Sequence, residues 1–280
     1  MKILIAPNAL KDSCTAAAAA RAMARGLRRV AADAALVELP VADGGDGLAE
    51  VAFHSLGARR VEVSVAGPRF EPVSAAYAWL PDKATALVEM ALASGLALLP
   101  EDRRDPGLTT TRGTGELMAA ALDGGARTLL VGIGGSATND GGIGMAAALG
   151  YRFLDARGEP LTPVGDSLEH IRRIDPAGAD TRLAAVRIEA VCDVDNPLTG
   201  PNGAARVYGP QKGASPRQVE RLDAGLAHLA ELLERDLGVS VGAMAGGGAA
   251  GGLGAGLVAF CGAHLRPGAE LVLDLVEMDR

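Results

Sequence analysis

Aromatic residues, cysteine and histidine are scarce in this sequence. Phe, Trp and Tyr make up 3% of the 280 residues, so a hydrophobic core must be built mainly from Ala, Leu and Val. The cysteines form no CxxC pair and the histidines are scattered singly: Cys14, Cys192, Cys261, His54, His170, His228 and His264. These absences argue against a disulfide framework and a zinc site, and they are typical of a protein in a reducing compartment.

The sequence also has no excess of basic residues and no long apolar runs. The net charge is −7, whereas a nucleic-acid-binding protein usually carries a positive charge. No stretch approaches the roughly 18 apolar residues of a membrane span. The N-terminal MKILIAPNAL reaches Pro7 and Asn8 too early for a signal peptide. We therefore expect a soluble, cytoplasmic protein that binds neither nucleic acid nor a membrane.

Glycine, by contrast, is abundant. The chain has 38 glycines among 280 residues, about twice the usual share of roughly 7%, and they are concentrated in a few loops. This distribution favours special backbone conformations at particular places over general flexibility. With 49% hydrophobic residues, the chain can also bury a substantial core, and its length allows one large or two ordinary domains.

The first part of the chain alternates strands and helices with short links. The predicted elements, in order, are Lys2–Ala6, residues 14–29, Ala35–Pro40 and residues 48–56. This order is typical of a parallel, doubly wound sheet. After Ala58, where we place a domain boundary, residues 59–91 alternate apolar and polar side chains between turns, which predicts a hairpin or meander.

The rest of the sequence predicts a mixed α/β arrangement. Apolar runs predict strands at residues 126–131 and 186–194, and helical patterns occur at residues 115–125, 143–150, 215–238 and towards 261. The last apolar segment, Glu270–Val276, is expected to contribute one more strand. The predicted fold class is therefore α/β.

Several polar loops rich in glycine or proline follow or adjoin the predicted strands. They are residues 6–13, 42–47, 132–142, 192–204 and 208–214. In open α/β sheets, ligands bind at the carboxyl ends of the strands. One such loop would be unremarkable, but this many together predict a cleft.

The loop GIGGSATNDGG, residues 132–142, is the strongest candidate for binding an anion. Successive backbone N–H groups and the N-terminus of the following helix favour negative charge, and hydroxyl groups add donors. The candidate phosphate-binding residues are Gly134, Gly135, Ser136, Thr138 and Asn139. The alternative is a tight turn in which the glycines only allow close packing.

Charged residues in the loops are candidates for metal or phosphate binding. Asp43 either holds Mg²⁺ or caps the next helix, and Asp193 either holds a metal, accepts a proton or forms a solvated turn. Four of the 27 basic residues are lysines, and two of them, Lys11 and Lys212, fall in these loops. A lysine is a compact charge suited to phosphate.

A dinucleotide-binding site is a competing interpretation of the same loop. Gly132, Gly134 and Ala137 fit G-x-G-x-x-A after a strand, and Asp155 lies about where a ribose-binding acid is expected. This would indicate an NAD(P)-dependent oxidoreductase. However, the helix of that motif should already have begun at the third small residue, whereas residues 139–142 interrupt it here.

Six motifs together resemble the type 1 glycerate kinase family along almost the whole chain. In order they are IAPNALKDS, ADGGDG, GTGELMAAALDGG, GIGGSATNDGG, DNPLTGPNGAARVYGPQKGA and GGGAAGGLGAGL. The resemblance implies phosphoryl transfer from ATP to a hydroxyl of D-glycerate with Mg²⁺. It also implies two α/β domains, of which a flavodoxin-like parallel-sheet domain is interrupted by the other. Assembly into a homo-oligomer is compatible with the sequence, which does not determine the oligomeric state.

The resemblance also suggests a division of the chain and roles for the site residues. The flavodoxin-like domain would comprise residues 1–58 and 262–280, and the inserted domain residues 59–261. Lys11 and Lys212 would supply charge to a phosphate or carboxylate, and Asp43 and Asp193 would hold Mg²⁺. Asp140 would serve as a metal ligand or general base.

The sequence departs from the family pattern in two ways. Asn8 stands where family members commonly have Asp, and an amide cannot serve as a base. The family pattern also continues beyond Arg280 with further strands and a loop. We therefore expect an incomplete flavodoxin-like domain with an exposed sheet edge. Activity would then be weak or absent unless a partner chain or a longer polypeptide completes the domain. A non-catalytic binding remnant is the alternative.

Overall fold

The structure, a computed structural model, describes residues 1–10, 13–42 and 47–275. The strands are β1 (Lys2–Ile5), β2 (Ala35–Glu38), β3 (Arg59–Ala66), β4 (Pro72–Leu80), β5 (Thr85–Glu89), β6 (Thr128–Gly132), β7 (Arg152–Leu154), β8 (Arg173–Asp175), β9 (Arg187–Val191) and β10 (His264–Arg266). The α-helices are α1 (Ala16–Leu27), α2 (Leu48–Ser55), α3 (Ala91–Ser94), α4 (Arg112–Asp123), α5 (Ile143–Ala148), α6 (Ala204–Tyr208), α7 (Pro216–Leu237), α8 (Ala249–Cys261) and α9 (Gly268–Leu275). The predicted α/β fold class is confirmed.

A six-stranded sheet forms the centre of the molecule, in the order β10-β9-β6-β5-β4-β3. Strands β10, β9, β6 and β5 are parallel, whereas β4 and β3 run antiparallel to their neighbours. The antiparallel β3–β4–β5 part confirms the meander that the alternating pattern predicts. The parallel part brings the carboxyl ends of β5, β6 and β9 to one edge of the sheet.

Helices cover both faces of this sheet because its central strands, β5 and β6, are apolar on both sides. On one face, side chains such as Val88 and Val131 pack against α4, α5, α7 and α8 in the larger core. On the other face, Leu87 and Leu130 pack against α2 and α9 in a second core. Elements from both ends of the chain thus contact the central sheet, and the division into two domains stays a prediction.

The N-terminal strands form a separate small sheet. β1 and β2 pair in parallel, as the strand–helix–strand pattern predicts. Helix α1 packs on this pair through Ala20 and Ala24, which contact Ile5. Thr15 caps α1, because its Oγ1 accepts a hydrogen bond from the backbone N–H of Ala18 at 3.2 Å. A second small sheet consists of antiparallel β7 and β8.

The strand predicted at Glu270–Val276 is wrong. Residues up to Leu275 belong to helix α9, and Val276 lies outside the described residues. The reason is the spacing of the buried side chains, Leu271, Val272 and Leu275, which form one helical stripe against the second core. The last described strand is β10, which pairs with β9 in the central sheet.

Two local signals define the long helix α7. Ser215 caps its N-terminus by accepting a hydrogen bond from Gln218, and Pro216 occupies the first turn, where its missing N–H costs nothing. Gly238 ends the helix in a left-handed conformation, with φ 71°. None of the helices in the described part of the chain is long and apolar enough to cross a membrane.

Candidate active site

A cavity of about 350 Å³ lies at the carboxyl edge of the parallel strands. Its walls come from the glycine loop after β6, the segment after β9, residues 208–212 and the start of α8. The predicted cleft therefore exists, and it brings together five of the predicted site residues: Gly134, Gly135, Ser136, Asp193 and Lys212. Thr138, Asn139 and Asp140 are buried next to it and do not line it.

Four glycines of the 132–142 loop have two different surroundings. Gly141 and Gly142 have positive φ angles of 62° and 80° and pack against the helices α7 and α8. The left-handed backbone of Gly141 favours glycine, and a Cβ there would also lie 2.3 Å from Leu229 Cδ2. Gly134 and Gly135 instead line the cavity. Their backbone N–H groups donate to no acceptor within the described residues, and they remain available to a ligand.

Lys212 is buried at the cavity wall, with 2% of its surface exposed. Its Nζ donates to Ser136 Oγ at 3.1 Å and to the carbonyl oxygen of Thr138 at 2.6 Å. Burial lowers the pKa of the Lys212 ammonium to about 7, and the nearby charge of Asp140 acts in the opposite direction. A buried ammonium beside an open cavity is suited to stabilise an anionic group bound there.

Asp140 holds the glycine loop to two helices. Its Oδ2 accepts hydrogen bonds from the N–H of Thr111 at 2.8 Å, from Thr111 Oγ1 at 2.8 Å and from the N–H of Gly144 at 3.2 Å. Its Oδ1 accepts from the N–H of Gly142 at 3.0 Å. Burial raises the pKa of the Asp140 carboxyl, and these hydrogen bonds act against the rise. Thr111 and Gly142 directly precede α4 and α5, so Asp140 fixes both helix starts.

Ser136 connects the glycine loop to the start of α8. Its hydroxyl accepts from the N–H of Thr138 at 3.1 Å and lies 3.3 Å from the carbonyl oxygen of Ala250. Ala250 lines the cavity and has a φ of 53°, a left-handed conformation that residues other than glycine rarely adopt. Within the described residues, neither polar atom of the buried Asn139 side chain has a hydrogen-bond partner.

Asp193 is exposed at the cavity and accepts a hydrogen bond from the first residue of α9. The N–H of Gly268 lies 2.7 Å from Asp193 Oδ1, whereas Oδ2 accepts from no described residue. No group of three or more His, Cys, Asp or Glu side chains that could hold a metal occurs in the described ranges. Lys11 and Asp43 lie outside the described residues, so their predicted roles stay predictions.

The structure adds cavity residues that the sequence analysis does not single out. Tyr208 and Gln211 line the cavity beside Lys212, and Cys192 lines it beside Asp193. Tyr208 donates a hydrogen bond from its hydroxyl to Asn196 Oδ1 at 2.6 Å, and Asn196 donates to the carbonyl oxygen of Asn202 at 2.8 Å. The sequence feature that could have identified Tyr208 and Gln211 is their position in the same motif as Lys212.

Comparison with known proteins decides the family. A model of the glycerate kinase family matches residues 3–280. The chain belongs to the glycerate kinase family. This membership makes the protein a phosphotransferase with an alcohol acceptor and confirms the resemblance of the six motifs. The dinucleotide-binding alternative is not favoured, and α5 begins only at Ile143, after the interruption at residues 139–142.

Individual members of the glycerate kinase family are similar over the whole chain. A glycerate kinase of Bacillus subtilis (strain 168) is 49% identical over 279 residues, which cover 100% of this chain and 73% of the relative. A glycerate 2-kinase of Escherichia coli (strain K12) is 47% identical with the same coverage. The crystal structure of putative glycerate kinase 2 from Salmonella typhimurium LT2 superposes with a TM-score of 0.94 at 50% identity and covers 100% of this chain and 75% of that one.

Proposed function

We propose that this protein transfers the terminal phosphoryl group of ATP to a hydroxyl of D-glycerate. The observation that carries the proposal is the buried Lys212 ammonium at a cavity that the backbone of Gly134 and Gly135 also lines. Phosphoryl transfer relies on positioning and on charge stabilisation by backbone donors and lysine. Membership of the glycerate kinase family points to the same reaction.

Each cavity group has a role in this proposal. The N–H groups of Gly134 and Gly135 and the hydroxyl of Ser136 bind phosphate oxygens, and Lys212 neutralises charge on a phosphate or on the glycerate carboxylate. Thr138 and Asn139 are buried next to the cavity and support the conformation of the loop. Asp140 was predicted as a metal ligand or general base; its four hydrogen bonds support, in addition, a role in holding the loop against α4 and α5.

Mg²⁺ is the metal that fits this site. In phosphotransfer sites Mg²⁺ is usually held by one or two carboxylates together with substrate phosphates. Asp193 offers Oδ2 at the cavity, and the sequence proposes Asp43 as a second carboxylate. When bound, the ion would neutralise charge on the phosphates. The first turn of α9 keeps the Asp193 carboxylate in place through Oδ1.

We further propose that the product is 2-phosphoglycerate and that the reaction takes place in the cytoplasm. The similar protein of Escherichia coli is named glycerate 2-kinase, which supports transfer to the 2-hydroxyl. The net charge of −7 and the isolated cysteines are consistent with an intracellular enzyme.

The decisive experiment measures ADP release from ATP and Mg²⁺ with D-glycerate, with L-lactate and no acceptor as controls. We expect release that depends on D-glycerate. Enolase added alone should consume the product, because enolase acts on 2-phosphoglycerate directly. A product that enolase consumes only after a phosphoglycerate mutase is added would indicate transfer to the 3-hydroxyl. ATP binding without turnover would favour a non-catalytic binding protein.

A further inference from the structure

Glu89 is a buried carboxylate at the edge of the central sheet where the cavity lies. It is the last residue of β5 and has 7% of its surface exposed. In the sheet register it lies beside Gly132, the last residue of β6, and Gly132 in turn pairs with Val191 of β9. The glycine loop and the Asp193 segment begin directly after these two neighbours. Glu89 therefore belongs to the same edge as the cavity walls.

The side chain of Glu89 is bonded to the start of α2. Its Oε1 accepts a hydrogen bond from the N–H of Ala49 at 2.8 Å, across 40 positions of the chain. The local N-cap residue of α2 is Gly47, which has no side chain to cap the helix. The first N–H groups of a helix have no partner within it and favour negative charge. Glu89, which belongs to the central sheet, provides the capping acceptor that the residues next to α2 do not provide.

Asp193 makes the corresponding bond to α9. Both α2 and α9 pack on the same face of the sheet, and Leu48 and Leu271 belong to the same core. Each helix thus has one backbone N–H of its first turn held by a carboxylate at this edge of the sheet, Glu89 for α2 and Asp193 for α9. The two carboxylates fix where the helices begin relative to the cavity.

We propose that Glu89 is a positioning residue for phosphotransfer, acting through the first turn of α2. This inference rests on the proposed glycerate kinase function. Helix α2 directly follows the motif ADGGDG, which contains the candidate metal ligand Asp43. Ala49 lies two residues after Gly47, the last residue of that motif, so the bond to Glu89 holds the chain just beyond the point where the motif ends. A shift of about 1 Å in a positioning element can cost about a hundredfold in rate.

Glu116 provides a matched control. Its Oε2 accepts a hydrogen bond from the backbone N–H of Ala66 at 2.7 Å, so it also ties a carboxylate to the backbone of another element. Neither Glu89 nor Glu116 lines the cavity. The difference is that the partner of Glu89, Ala49, follows the motif ADGGDG, whereas the partner of Glu116, Ala66, adjoins none of the candidate loops. Glu116 also forms an ion pair with Arg112 at 2.9 Å. Removing either carboxylate should lower stability, but only the loss of Glu89 should disturb the kinase reaction.

The test compares Glu89→Ala, Glu89→Gln and Glu116→Ala in the whole chain. Steady-state kcat and KM for D-glycerate and ATP are measured well below the unfolding temperature, together with hydrogen exchange of residues 47–55. We expect kcat/KM to fall at least about tenfold in Glu89→Ala, with faster exchange at the start of α2. Glu89→Gln should recover most of the activity, because its amide oxygen can still accept from Ala49. Glu116→Ala should keep kcat/KM within about twofold.

One result would overturn the role of Glu89 and another would overturn the proposed function, and the two results are distinguishable. If Glu89→Ala loses stability like Glu116→Ala but keeps its kcat/KM, Glu89 is structural only and the inference is wrong. If the unmodified chain releases no ADP with D-glycerate, the proposed function fails instead. Hydrogen exchange then still decides whether Glu89 holds the start of α2. Unchanged exchange of residues 47–55 in Glu89→Ala would show that Glu89 does not hold this helix.

Discussion

Lys212 and Ser136, 76 positions apart in the chain, are joined at the cavity wall by a hydrogen bond of 3.1 Å from Nζ to Oγ. The bond brings the motif GPQKGA against the glycine loop, so that a positive charge and the backbone donors of Gly134 and Gly135 face the same space. Because Lys212 is buried, its charge is screened little by water and acts strongly on a bound anion.

Replacing Lys212 should therefore abolish most of the activity. We expect Lys212→Met to lower kcat by about a hundredfold or more, as removal of a preorganised charge-stabilising donor does. Lys212→Arg should not restore activity, because a planar guanidinium differs in shape from the ammonium that contacts Ser136 and Thr138. Lys83→Met, in an exposed short 3₁₀-helix, is the control and should leave the rate unchanged. Normal turnover in Lys212→Met would exclude a role for this charge.

The lowered pKa of Lys212 should also make stability depend on pH. In the folded chain its ammonium titrates at about 7, whereas an unfolded lysine holds its proton up to about pH 10.4. Between these two pH values the unfolded state binds more protons than the folded state. The contribution of Lys212 to the free energy of unfolding therefore increases as the pH rises from 7 and decreases as the pH falls back towards 7.

Thermal unfolding of the unmodified chain and of Lys212→Met at pH 7 and pH 9 measures this effect. The unfolding temperature of the unmodified chain should rise relative to that of the variant between the two values. The comparison cancels the titration of groups that both proteins share. A constant difference between the two proteins would mean that Lys212 keeps an ordinary pKa in the folded state.

The two readings of Asp140 predict different outcomes for Asp140→Asn. A metal or base role predicts a fall in turnover of about a hundredfold or more, and the loss of a buried acceptor predicts a stability loss of about 1–3 kcal/mol. Thr111→Val removes one donor to Asp140 and the acceptor of the Met145 N–H while keeping the carboxylate, so it weakens the positioning of the loop without removing the charge. If both variants lose stability and only Asp140→Asn loses turnover, the carboxylate takes part in the reaction. Comparable turnover in the two variants would leave Asp140 a role in holding the loop alone.

Much of the fold and part of the site follow from sequence patterns, and the exceptions have physical reasons. Alternation predicts β3 and β4, and the glycine loop and Lys212 are visible as polar motifs next to strands. The burial of Lys212 and its bond to Ser136 join distant segments, and no local pattern encodes them. Glu89 ends an apolar strand and has no local signature, since its partner Ala49 belongs to another element. The segment at α9 is so apolar that helical and strand spacings both fit it.

The last prediction concerns the contact between the glycine loop and the start of α8. Gly251 has a φ of 69°, and a Cβ there would lie 2.0 Å from the carbonyl oxygen of Thr138, the same atom that Lys212 contacts. Gly251→Ala should therefore lose several kcal/mol of stability, because both the left-handed backbone and a clash with main-chain atoms oppose it.

Gly242→Ala is the matched control for this substitution, because a Cβ at Gly242 meets no atom within 4 Å and its φ is not left-handed. We expect its stability to stay within about 0.5 kcal/mol of that of the unmodified chain. Chemical denaturation measures both changes, and turnover measured at a temperature where Gly251→Ala remains folded shows whether the contact also matters for the site. Since displacing the Thr138 carbonyl removes an acceptor from Lys212, turnover should fall as well. Full activity in a folded Gly251→Ala would show that the Thr138 carbonyl does not need to hold Lys212 in place.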